Sequence, residues 1–179
     1  MSERVPRTNE FSRPVAIESI GPKAQTRRIE AEAGERRDLA ERFGLLALQS
    51  LSATVELERQ AGDAVHARGH LVADVVQSCV VTLEPVPAHI EADFTCNYTA
   101  AAPEAVEAVI DPLAEEEIEA LTGEEIDLGE TVAQQLAIAL DPYPRAPGAV
   151  WPQDAQSETA AGREGGKGPF ATLARLKKP

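Results

Sequence analysis

Aromatic residues are scarce in this 179-residue chain, at 4% against 43% for hydrophobic residues as a whole. Its core must therefore be assembled mainly from Ala, Val, Leu and Ile. The length suffices for one domain with a sizeable core plus tails. No stretch approaches the ~18–20 uninterrupted apolar residues of a membrane span. Met1 to Arg13 lack the apolar centre of a signal peptide. A soluble, cytoplasmic protein without membrane contact is expected. Only two cysteines occur, Cys79 and Cys96. That number excludes a secreted disulfide scaffold and predicts two free, buried thiols.

The most consequential absence is of positive charge. The net charge is −13, and it is unevenly spread. Residues 1–68 hold 11 basic and 11 acidic side chains, and residues 145–179 hold 6 basic and 3 acidic. Between them, residues 69–144 hold 16 acids and not one Lys or Arg. A surface without cations cannot neutralise phosphates, so this half is not expected to bind nucleic acid. It would repel RNA and attract basic proteins, while the same acids also serve solubility.

What is present reads as sheet with two short helices. Pro6, Pro14 and Pro22 punctuate a flexible, extended arm over residues 1–22, with one short strand around Val15–Ile17. A second short strand is predicted at Thr26–Ala31. Gly34 to Gly44 reads as a helix with Leu39, Ala40 and Phe43 on one face, Asp38 and Arg42 spaced to pair, and Gly44 at the C-terminal cap. Leu51, Ala53, Val55 and Leu57 alternate with polar residues, and Val65, Ala67, Gly69, Leu71, Ala73 and Val75 do the same after the turn at Gly62-Asp63. The pair predicts a long antiparallel hairpin. Beyond an interruption at Gln77 the odd phase takes in Cys79, Val81 and Leu83. Glu84-Pro85-Val86-Pro87 is expected to break the strand. Ile90 to Tyr98 forms a third alternating run, residues 100–126 are acidic and irregular, and Asp127-Leu128-Gly129-Glu130 reads as the capped start of a helix. Val132, Leu136, Ala139 and Leu140 share that helix's inner face, and Pro142 and Pro144 follow it. Residues 145–168 have the composition of a disordered linker. Residues 169–179 form a short amphipathic segment with Phe170, Leu173 and Leu176 at three-residue spacing, which either docks on the domain or grips a partner. The expected fold is α+β: one domain over residues 23–144, with an antiparallel sheet of about five strands and two short helices at its edges.

Catalytic and metal chemistry find little support. Cys79, Cys96, His66, His70 and His89 are enough ligands for zinc, but there is no C-x-x-C pair, and both cysteines fall on an apolar strand phase. No metal and no cofactor are expected. A catalytic cysteine needs a histidine and an electropositive setting, whereas Cys79 lies in the cation-free stretch, which is expected to raise its pKa. No G-x-S-x-G elbow occurs, and the carboxylates of residues 104–130 read as a solvated face. Gly165-Gly166-Lys167-Gly168 follows no strand and lacks the Walker spacing, so it reads as a hinge. These patterns give no enzyme and no small-molecule substrate. For nucleic acid the candidates are the N-terminal arginines, Arg27, Arg28, Arg36 and Arg37 foremost. Their acids match them nearly one for one, and stacking aromatics are almost absent.

Several separated segments together resemble a known family. They are Phe11-Ser12-Arg13-Pro14-Val15, Glu35-Arg36 to Phe43-Gly44, Cys79-Val80-Val81-Thr82-Leu83-Glu84-Pro85-Val86, Ile126 to Glu130 with Gln134-Gln135-Leu136, Tyr143-Pro144, and Pro169-Phe170-Ala171. In this order they resemble the YceD family, the large ribosomal RNA subunit accumulation proteins. The resemblance implies a bacterial cytoplasmic factor, without enzymatic activity, that supports 23S rRNA accumulation and large-subunit biogenesis. Where many relatives carry a second cysteine three residues after the first, Thr82 stands here. The paired cysteines that others carry before Pro-Phe-Ala are missing, and Asp141 replaces a more usual proline. The partner expected from the charge is a basic ribosomal protein or assembly factor, with contact to rRNA indirect. Candidate partner-binding residues are Cys79, Glu84 and Pro85 at the central turn, Asp127, Gly129 and Glu130 at the helix start, and Phe170, Leu173 and Leu176 in the tail. Each also has a structural reading: turn shaping, helix capping or groove filling. The alternative function is direct RNA binding through Arg27, Arg28, Arg36 and Arg37.

Overall fold

A computed structural model of the chain describes residues 9–60, 64–99 and 123–150, and the backbone of 117–120. The elements are β1 (Pro14–Ala16), β2 (Gln25–Glu30), α1 (Ala33–Phe43), β3 (Ala47–Arg59), β4 (Val65–Ser78), β5 (Pro85–Thr99), β6 (Glu117–Ala120), β7 (Glu125–Asp127) and α2 (Leu128–Ala139). Strands β2 to β6 form one sheet in chain order, antiparallel from β2 to β5, with β6 parallel to β5. Strands β1 and β7 pair antiparallel in a separate small sheet. The α+β class, the sheet of about five strands and the two helices are as expected.

Alternation decides which face of the sheet is covered. Leu51, Ala53, Val55 and Leu57 of β3 and Val65, Ala67, Leu71, Ala73 and Val75 of β4 are buried, together with Phe94, Cys96 and Tyr98 of β5. They join one core with Leu39 and Ala40 of α1 and with Leu128, Val132, Ala133 and Leu136 of α2. A bulge between Leu48 and Ser50 shifts the phase of β3, so that Leu48 and Leu51 are both buried although three residues apart. Gly69 lies opposite Phe94 and leaves room for its ring; a Cβ at 69 would meet the ring within 2.1 Å. Helix α1 opens with the Glu35 carboxylate accepting the Glu32 N–H at 2.7 Å. It ends at Gly44, whose left-handed backbone (φ 65°) lets its N–H cap Ala40 and Glu41.

Four local expectations are corrected. The proline-rich stretch does not break a strand, because β5 starts at Pro85 and includes Pro87. Those prolines lie where β6 is not alongside, since β6 pairs only with Cys96–Thr99, so their missing N–H groups interrupt no ladder there. The odd phase of β4 does not run on to Leu83: the strand ends at Ser78, and a turn over residues 79–84 leaves Leu83 exposed. Arg42 is not paired with Asp38. It reaches Glu130 at 2.7 Å and Glu10 at 3.0 Å, while Asp38 faces Arg37 at 3.4 Å. The stretch read as an extended arm is part of the packed structure from Asn9 onward, with Phe11 and Ile20 buried in the core.

Candidate functional site

Two groups of the singled-out residues can be placed. The first lies where β7 runs into α2. Asp127 is the N-cap of α2, and its carboxylate accepts the Gly129 N–H at 3.0 Å and the Glu130 N–H at 3.4 Å. It also accepts Asn9 Nδ2 at 2.9 Å, Ser12 Oγ at 2.8 Å and the Arg13 N–H at 2.7 Å. Burial pushes this carboxyl up, but the hydrogen bonds from the Arg13 amide, Asn9, Ser12 and the Glu130 amide outweigh it, and its pKa lies below the usual range. Gly129 lets the N-terminal segment cross the helix closely, since a Cβ there would sit 2.3 Å from the Phe11 carbonyl oxygen. Glu130 makes a bidentate pair with Arg42 of α1 at 2.7 and 2.8 Å. Arg13 grips Glu35 in the same forked way at 2.7 and 2.9 Å. Asp127, Gly129 and Glu130 thus clasp the N-terminal segment and α1 onto α2. Asn9, Ser12 and Arg13 belong to this clasp and were missed, because nothing local to 9–13 announces a partner more than a hundred residues away.

The second group is the turn between β4 and β5. Cys79 is buried and forms no disulfide. Its Sγ accepts the N–H groups of Val81 and Thr82 at 3.4 Å and of Ala146 at 3.3 Å. The Leu83 N–H bonds back to the Cys79 carbonyl and the Cys79 N–H to the Glu84 carbonyl, while Leu83 holds a left-handed backbone (φ 62°). The Glu84 carboxylate accepts Thr82 Oγ1 at 3.0 Å. The Val80 N–H reaches the Pro144 carbonyl at 2.9 Å, tying this turn to the loop after α2. The thiol's pKa is lowered from the ordinary 9.0 to about 6, chiefly by the Ala146 amide and then by Thr82. This corrects the expectation of a raised value: the missing cations are replaced by N–H dipoles aimed at the sulfur. Val80, Leu83, Tyr143 and Val150 project from the two loops as exposed apolar side chains. Tyr143-Pro144 was legible as part of the family pattern, but its contact with Cys79–Val80 was not.

The remaining candidates do not converge. Arg27 and Arg28 are neighbours on β2, the edge strand of the sheet, and so point to opposite faces. Arg36 donates to the Ala31 carbonyl at 2.6 Å, and Arg37 extends into solvent beside Asp38. Phe170, Leu173, Leu176 and residues 151–168 of the expected linker lie outside the described residues, whereas residues 145–150, expected to be disordered, form a loop tied down by the Ala146 N–H on the Cys79 sulfur.

The histidines lie on the uncovered face of the sheet. His66 meets Asn97 and His70 meets Asp93, each at 2.8 Å. His89 places Nδ1 2.7 Å from Asp74 and Nε2 3.3 Å from Glu91, and both carboxylates raise its pKa. Ser50 Oγ donates to Asp74 at 2.7 Å. This is not a nucleophilic triad, because the serine bonds the carboxylate and not the imidazole that would have to take its proton. Cys79 and Cys96 are separated by most of β4, roughly 35 Å at ~3.3 Å per residue, too far to share a ligand. Among the described residues no group of three or more His, Cys, Asp or Glu is placed to hold a metal ion, and no helix is long and apolar enough to cross a membrane.

A family model described as large ribosomal RNA subunit accumulation protein YceD matches residues 67–177. Comparison with curated proteins and with solved structures gives no match. The matched span exceeds half of the chain and holds most of β4, all of β5, the Cys79 turn, the Asp127 cap and most of the tail. The chain belongs to the YceD family, the large ribosomal RNA subunit accumulation proteins.

Proposed function

We propose that this chain is a non-catalytic cytoplasmic factor that supports 23S rRNA accumulation by binding a basic ribosomal protein or assembly factor during large-subunit biogenesis. The observation that carries the reading is the stretch 69–144, with sixteen acids and no Lys or Arg. Of its acids, Glu84, Glu91, Asp93, Glu124, Glu125 and Asp141 are exposed. Such a surface attracts cationic protein and repels phosphate, so it favours a protein partner over rRNA itself. The shallow recess at Glu56, Glu58, His66 and Arg68 lies open on the sheet face.

The test is depletion of the protein in its host, followed by the ratio of large- to small-subunit rRNA and the ribosome sedimentation profile. The expected result is a selective fall of large-subunit rRNA with a deficit of large subunits; an unchanged ratio and profile overturn the assembly role. In purified components, binding to basic ribosomal proteins that weakens when Glu91 and Asp93 become lysines is expected. Tight, salt-sensitive binding to rRNA fragments that depends on Arg27, Arg28, Arg36 and Arg37 would replace the protein-partner reading with direct RNA binding.

A further inference from the structure

The turn at Cys79 and the loop after α2 build an exposed apolar end to the domain. Leu83 is 76% exposed and Tyr143 71% exposed, and Val80 and Val150 accompany them. The two loops are held together by the Val80 N–H on the Pro144 carbonyl and by the Ala146 N–H on the Cys79 sulfur. Leu83 is kept outside in a left-handed backbone that a non-glycine residue rarely adopts. Nothing in the folding of the domain calls for four large apolar side chains there, so the patch fits an occupant.

We propose that the occupant is the chain's own C-terminal segment, residues 169–178, seated with Phe170, Leu173 and Leu176 on Val80, Leu83, Tyr143 and Val150. Three observations single it out over other partners. The described part of the chain ends at exposed Val150, four residues beyond Ala146, whose N–H ties this loop to the Cys79 turn. The eighteen residues 151–168 then separate it from Pro169. Tethers of about that length give effective concentrations on the order of millimolar. The segment places Phe170, Leu173 and Leu176 three residues apart, a spacing that lines them along one side of a helical turn, and carries Arg175, Lys177 and Lys178 beside them. The exposed carboxylates of Glu84 and Asp141 outnumber the exposed cation Arg145 on these two loops, so charge and apolar contact agree. This docking does not depend on the proposed function and holds whatever the chain binds.

Amide hydrogen exchange on the full-length protein tests it. In the wild type, the amides of residues 170–176 are expected to exchange about tenfold or more slowly than in a free peptide of the same sequence. The Leu83→Asp and Tyr143→Ala variants, both altered at exposed positions, are expected to abolish that slowing while the amides of β3 and β4 keep their protection. The reciprocal variant with Phe170, Leu173 and Leu176 all changed to alanine is expected to speed exchange at 80–84 and 143–150. Free-peptide rates at 170–176 in the wild type overturn the proposal. So does protection that survives both patch variants, which places the segment elsewhere, or protection that grows with protein concentration, which assigns the patch to a second copy.

Discussion

Glycine 129 sits in the first turn of α2, where helix propensity alone favours alanine by about 1 kcal/mol, yet a Cβ there would lie 2.3 Å from the Phe11 carbonyl oxygen and 3.1 Å from the Arg13 nitrogen. Those are backbone atoms fixed by the bonds of Asp127, so steric conflict decides the sign. Gly129→Ala is expected to destabilise the protein by about 1–3 kcal/mol, read as a lowered urea midpoint. Cys79 makes a different claim at the same scale. Its pKa is lowered from 9.0 to about 6, so the thiolate's contribution to stability is complete above pH 9.0 and is lost as pH falls through about 6. Wild-type stability should therefore rise between pH 6 and 9, and Cys79→Ser should flatten that part of the pH profile in thermal melts. An equal slope in both proteins would show that the three amides do not hold a thiolate.

The clasp around Asp127 belongs to the scale of elements, because it decides whether the N-terminal segment and α1 stay on α2. Asp127→Ala removes the helix cap and the acceptor of Asn9, Ser12 and the Arg13 amide. A loss of about 2 kcal/mol is expected, with faster exchange at the amides of β1. Asp127→Asn should retain part of the cap and lose the charge. Asp127 and Glu35 both have lowered pKa values, so their contribution is present above the ordinary carboxyl range and is lost as pH falls through the still lower folded values. For Arg42 and Glu130 a double-mutant cycle should return a coupling on the order of 1 kcal/mol, since the pair is bidentate and only partly exposed. Elements whose side chains alternate or recur at helical period were legible in the sequence: β3, β4, the later part of β5, α1 and α2. The start of β5 was not, because two prolines argue against a strand unless the neighbouring edge is known to be empty. Nor was the crossing of residues 9–13 over α2. Gly129 and Asp127 carry its signature, but a cap motif looks the same whether or not a distant chain also uses it.

Over the whole molecule the uneven charge dominates. Of the candidate site, the Cys79 turn, the α2 start and the tail were recognisable from the family pattern. The junction of the first with Tyr143 and Ala146 depends on long-range packing that no local spacing encodes. The acids of residues 69–144 face no Lys or Arg from their own stretch, and among the described residues few ion pairs reach across the fold. Salt acts on these two populations in opposite ways. Screening relieves repulsion among exposed acids such as Glu91, Asp93, Glu124 and Glu125. It also weakens Arg13–Glu35 and Arg42–Glu130, but these are partly buried contacts of 2.7 Å and are screened less. The repulsive population is larger and more exposed, so it decides the sign. Thermal midpoints at neutral pH are expected to rise as sodium chloride goes from about 0.01 M to about 0.15 M, where the Debye length shrinks from about 30 Å to about 8 Å. Most of the gain should come within that interval, since longer-range repulsions are the first to be screened. A midpoint that falls steadily over the same range would mean that the cross-fold ion pairs, and not the acidic surface, set the electrostatic balance of this fold.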